Sequence, residues 1–160
     1  MSDYLAGWTL SRKRFDDEVL GLNAAQLNWK LHPNVLSIGQ MAVHVAGVEL
    51  SFVSQLTGLE LTPEQTRLKM AATEGAVNDN PFPYQDSEIT PEFVAECLAY
   101  TRPLAQALLE ANDPVIRDKE IKSALGPMIT GAGAMIRFVF HPGYHQGQAY
   151  MMRTAPGFPS

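Results

Sequence analysis

The chain has 160 residues, 46% hydrophobic and 18% charged, with 12 Lys+Arg against 17 Asp+Glu and a formal net charge of −5. That is one domain's length, enough to bury a core without staples, and the composition excludes disorder, collagen-like repeats and a membrane-embedded chain. An acidic chain with no basic stripe repels a phosphate backbone, so nucleic acid is not an expected partner. The single cysteine, Cys97, excludes an internal disulfide and a Cys-rich zinc site. No apolar run reaches the roughly 18 residues that cross a bilayer, so no membrane contact is expected. The opening MSDYLAGWTL is acidic where a signal peptide is basic, and the expected location is cytoplasmic.

The first predicted helix covers about 3–20, with Leu5, Trp8, Phe15 and Val19 at helical spacing and Arg12 on the same stripe. Gly21 and Asn23 end it, and a short segment over 24–30 leads into Leu31-His32-Pro33-Asn34. The second helix starts at Ser37, where Ser37 and Gln40 have capping-box spacing, and passes through Met41, His44, Val48 and Phe52 to a stop at Gly58. Residues 59–90 are irregular. Thr62-Pro63-Glu64-Gln65 starts about two helical turns, and Asn80-Pro81-Phe82-Pro83 then forces extended or turn backbone. The third helix begins at Thr90-Pro91-Glu92 and runs to about 111, with Pro103 expected to bend or break it. A connector with room for an extended stretch covers 115–122. The final helix is expected over 126–153, made irregular by its glycines and Pro142, before a Pro/Gly tail over 154–160. The predicted fold is therefore all-α: one four-helix-bundle domain over 1–153, with a long crossover connection between the second and third helices.

Of four histidines, His141 and His145 stand at i and i+4 in the last helix, where two imidazoles project from one face about a turn apart. His44 lies among Met41, Val45, Val48 and Phe52 in the second helix, and such a ring needs a hydrogen-bond partner or a metal. A lone histidine on an apolar face is commonly a hydrogen-bonded core residue, so His44 by itself leaves both roles open. His32 precedes a proline in a connector and reads as a solvated loop residue. Pro142-Gly143-Tyr144 separates the paired histidines, so the zinc-peptidase HExxH pattern is absent.

These motifs together resemble the DinB/YfiT-like superfamily of metal-dependent proteins. The resemblance rests on Leu27-Asn28-Trp29, on the Ser37-to-His44 segment, on Ile89-Thr90-Pro91-Glu92-Phe93, and on His141 and His145 followed by Gly147-Gln148. It implies a bundle, often a homodimer, in which His44, His141 and His145 hold one divalent metal, typically zinc or nickel. Two departures stand out. Gln146 occupies a position where many relatives carry arginine, and Pro142-Gly143 between the paired histidines predicts a kink or π-bulge.

Three imidazoles leave coordination positions open, the pattern of a catalytic site. The resemblance implies thiol-dependent transferases: some relatives attach a low-molecular-weight thiol such as bacillithiol to electrophilic small molecules, and others use mycothiol in isomerisation. An external thiol is the expected nucleophile for that chemistry, because Cys97 lies on an apolar stripe and reads as core. Glu49 is roughly 140° around the helix from His44 and reads as a solvated or interhelical charge. Gln40 and Gln148, each about one turn from a histidine, are placed to orient imidazoles, although a capping box and helix packing explain them equally. Arg12 reads either as a stem at the bundle edge or as a clamp for a carboxylate on the thiol or substrate. Met128, Met135, Ile136 and Val139 offer a second apolar face for a homodimer, or ordinary core. Two further functions fit the same residues: a metal-dependent hydrolase, and a non-enzymatic metal-binding stress or accessory protein.

Overall fold

The computed structural model describes residues 2–160. Four long helices carry the architecture: α1 (Asp3–Val19), α3 (Ile38–Thr57), α5 (Pro91–Ala111) and α7 (Gly131–Arg153). Three short helices sit in the connections, α2 (Ala24–Asn28), α4 (Pro63–Met70) and α6 (Pro114–Asp118), and a two-stranded hairpin, β1 (Glu120–Lys122) with β2 (Met128–Thr130), precedes α7. The long helices form the expected bundle, with the crossover from α3 to α5 carrying α4.

Local chemistry sets the helix ends. Ser37 and Gln40 make the expected capping box at the start of α3, and Gly58 ends that helix in the left-handed conformation at φ 76°. Thr90 caps α5 at Phe93 N with Pro91 in the first turn, and Asn112 ends it at φ 43°. α5 runs unbroken past Pro103, and α7 is α-helical throughout its passage over Pro142, without a π-turn. Each proline removes one bond to the carbonyl four residues back, and packing on both sides outweighs that loss.

The last helix begins later than the sequence pattern suggests. Pro127 does not open it: its carbonyl accepts from Ser123 N at 3.0 Å, and Gly126 N donates to Ser123 O at 2.9 Å. Gly126 takes φ 100°, a conformation costly for any residue with a Cβ, and this turns the chain back on itself. The turn pairs Glu120 with Thr130 and Lys122 with Met128 in antiparallel register. Thr130 then caps α7 through Gly133 N.

α3 is the central helix, packed against α5, α7 and α4, while α1 lies along α7. Its residues from Ile38 to Leu50 are all buried. Around it one cluster gathers Phe15, Val19, Leu27 and Ile89, and a second gathers Trp8, Phe52, Leu109, Met135 and Phe138. Each fully buried side chain of this size contributes about 1.5–3 kcal/mol. The anticipated second apolar face does not form: Met135 is core, Val139 packs over Gly7, and Met128 lies in β2, leaving Ile136 as the exposed helical member. The C-terminal segment is docked too. Phe158 meets Trp29 edge-on at 5.6 Å, and Gln26 Nε2 donates to Pro159 O at 3.1 Å.

Candidate metal centre

His44 from α3 and His141 and His145 from α7 converge. His141 Nε2 lies 3.1 Å from His44 Nε2 and 3.1 Å from His145 Nε2. The three candidate ligand atoms all fall within 4.8 Å of one another. His44 and His145 are buried and His141 is partly so. Burial pushes all three imidazoles below their ordinary pKa, His145 to about 3, and mutual repulsion adds to the effect at His141 and His145. At neutral pH the rings are uncharged, the form that ligates metal.

Two rings have their tautomer set from outside the cluster. His44 Nδ1 donates to the Ala71 carbonyl at 2.8 Å, and His145 Nδ1 donates to Gln148 Oε1 at 2.7 Å. With Nδ1 protonated, both Nε2 atoms present lone pairs inward, where His141 Nε2 can donate to one of them at a time. Lone pairs brought together this way suit a cation better than each other. The cluster can therefore hold a metal ion.

The remaining expected residues divide. Gln148 orients His145 as anticipated, whereas Gln40 Oε1 is taken by the Ser37 backbone N–H at 3.0 Å and does not reach a histidine. The Ala71 carbonyl, a backbone group at the end of α4, has no signature in the sequence. It approaches His44 because Gly47, three residues on, leaves room: a Cβ there would stand 2.6 Å from Leu68 O and 2.9 Å from Ala72 N. His32 is exposed in its connector. Cys97 is core, with burial, and secondarily Glu96, pushing its thiol up to about 12.

Arg12 is not a clamp for a ligand; it is buried inside the bundle with its donors engaged. Its Nε donates to Glu49 Oε1 at 3.1 Å, its Nη1 pairs with Asp16, and its Nη2 donates to the Leu98 carbonyl at 2.9 Å. Glu49 also accepts from Trp8 Nε1 at 2.9 Å and from Thr101 Oγ1 at 2.7 Å, so it is an interhelical charge and not a solvated one. Arg102 pairs with the other Asp16 oxygen, closing a neutral quartet of two arginines and two carboxylates.

The histidines open onto a cavity of about 960 Å³, walled by α3, the 31–36 and 72–77 segments, the hairpin turn at 123–125, and α7. Its lining is mainly apolar and contains no aspartate or glutamate; Arg137 is its one charged residue. Arg137, His141 and His145 follow at i, i+4 and i+8, so extending the histidine stripe one turn backwards would have found it.

The sequence matches the DinB superfamily over residues 8–149. The fold is similar to the crystal structure of a conserved protein from Enterococcus faecalis, with a TM-score of 0.67 and 17% identity over 94% of this chain and 93% of that one. No curated protein matches the sequence. With the family match reaching into all four long helices and including the three histidines of α3 and α7, the chain belongs to the DinB superfamily.

Proposed function

We propose that this protein is a metal-dependent enzyme that joins a low-molecular-weight thiol to an electrophilic small molecule. The observation that carries this reading is that all three histidines line one sizeable cavity. An accessory protein needs no such space beside its metal. A divalent ion at the histidines, zinc or nickel by its fit to imidazole donors, supplies charge that stabilises a bound thiol as thiolate.

The chain's own residues support a transfer more than a hydrolysis. The cavity lining has no carboxylate to act as general base for water. Cys97 is buried with its thiol held protonated and is absent from the lining, so a sulfur nucleophile has to enter with the substrate. The walls are mainly apolar, and His44 and His145, oriented by Ala71 O and Gln148, form a preset donor face.

The test is thiol consumption by zinc- or nickel-loaded protein with simple electrophiles, supplying bacillithiol, mycothiol and glutathione in turn. The expected result is metal-dependent turnover of one thiol that disappears in His141→Ala. Ester cleavage without any thiol would replace this reading by the hydrolase, and absence of turnover by the accessory protein.

A further inference from the structure

Arg137 is unlike the arginines that pair with carboxylates. Arg12, Arg67, Arg102 and Arg153 each meet an aspartate or glutamate. Arg137, like Arg14 and Arg117, forms no ion pair among the described residues, and of these three it is the one that lines the histidine cavity. Its one protein partner is the hydroxyl of Ser123, to which Nη1 donates. Ser123 is buried, 3% exposed, and its Oγ also accepts from Leu125 N at 3.2 Å. Two donors point at that oxygen, and its own proton has no protein acceptor among the described residues. The result is a cation and a hydroxyl donor side by side in an apolar cavity, with no anion to answer them. Arg137 is half-buried in the cavity wall, so its unpaired guanidinium is available to an anion that enters and displaces water there.

We propose that the electrophilic acceptor in this cavity is an amphipathic carboxylate, its anion held by Arg137 and Ser123 and its apolar body lying along α7 toward the histidines. This rests on the cavity being the substrate pocket of the function proposed above. The guanidinium has Nη2 and Nε free of protein partners, a planar fork matching the two oxygens of a carboxylate. Arg137 precedes His141 by one helical turn, so an anion at Arg137 directs the rest of the molecule past the metal-binding face. The exposed side chains of Leu125, Phe140, Tyr144 and Met151 rim the cavity and give an aliphatic or aromatic body its contact surface. A thiol of small polar type has no use for such walls, so the apolar anion is assigned to the acceptor.

Titration calorimetry on the full chain tests this with decanoate, methyl decanoate and decyltrimethylammonium as probes. Each is run on metal-free and on zinc-loaded protein, so that direct contact of decanoate with zinc is separated from contact with Arg137. Metal-free wild type is expected to bind decanoate at least about tenfold tighter than the methyl ester or the cation, the worth of charge-assisted hydrogen bonds. Arg137→Gln is expected to erase that preference while changing ester affinity less than about twofold, with Arg137→Lys intermediate. Equal binding of decanoate and ester by wild type overturns the proposal without recourse to any variant, as does failure of both to bind. A preference that survives Arg137→Gln overturns it as well. Zinc binding is read in a separate titration: loss of zinc binding with the carboxylate preference intact refutes the metal reading alone, and the reverse pattern refutes this one alone.

Discussion

Glu49→Gln preserves the shape of a buried side chain and deletes one of the two negative charges that balance Arg12 and Arg102. Glu49 is 2% exposed and Arg12 fully buried, so water cannot replace what is lost. The glutamine oxygen can still accept from Trp8 Nε1 and Arg12 Nε, and its amide can donate to Thr101, whose hydroxyl reverses roles. What disappears is the charge assistance in these bonds and the neutrality of the quartet. Breaking a buried pair costs about 3–5 kcal/mol, and because Arg12 keeps Asp16 a loss below that range, about 2–3 kcal/mol, is expected here. For a chain of this length each kcal/mol lowers Tm by about 2–4 °C, so the fall should be about 4–12 °C. Urea unfolding followed by circular dichroism and by tryptophan fluorescence reads the loss. A double-mutant cycle with Arg12→Met isolates the pair term. Zinc affinity should not change, because neither residue lines the histidine cavity. A Glu49→Gln protein within about 0.5 kcal/mol of wild type, the scale of an ordinary surface change, would refute the structural role. A drop in zinc affinity with stability unchanged would return Arg12 to the site.

His145→Ala should reduce zinc affinity sharply by calorimetry while His32→Ala leaves it unchanged, and equal losses would show that the ligand set is wrong. Gln148→Ala should cost about 10–100-fold in zinc affinity by freeing the His145 ring, with the fold retained by circular dichroism. Metal-free protein should lose stability as pH falls from about 6.5 toward 3, because the unfolded chain takes up protons that the buried histidines refuse. One such histidine contributes about 2 kcal/mol of this loss by pH 5, and His145→Ala should flatten the slope in urea melts taken across that range. Gly47→Ala should push the Leu68–Ala72 backbone away from α3 and weaken zinc binding through loss of the His44–Ala71 contact, measured by titration beside a thermal melt.

Much of this was legible locally. Ser37 with Gln40 and Thr90 with Pro91 announce helix starts by side-chain chemistry that acts within one turn, and those starts stand. The His141–His145 pair is likewise a local signal, carried by the pitch of one helix. His44 joins it only because α3 packs on α7, which the pattern of motifs indicated and no single residue did. Arg12 shows the limit. Its spacing placed it on the inward stripe correctly, but its role depends on Glu49 from α3, Leu98 from α5 and Asp16 from its own helix arriving together. Ala71 was invisible because a carbonyl has the same identity at every position, and only the docking of α4 over Gly47 selects it.

The start of α7 shows how a misread boundary and a functional feature can share one cause. Gly126-Pro127 looks like a helix opening, since proline suits a first turn. In the fold, the positive φ of Gly126 reverses the chain and spends Pro127 on a turn, delaying the helix to Gly131. That delay leaves Ser123, Ala124 and Leu125 folded back beside α7 and not continued into it, and all three line the histidine cavity. Had the helix begun at 126, its first turns would have carried the Ser123 segment along its axis, and Arg137 would have faced the cavity without a hydroxyl beside it. The turn at Gly126 thus sets Ser123 beside Arg137 as the polar end of the pocket, opposite in character to the rim supplied by Phe140, Tyr144 and Met151. Local propensity is overridden where the chain assembles a binding wall, which is where consistency between sequence signals and fold is expected to fail.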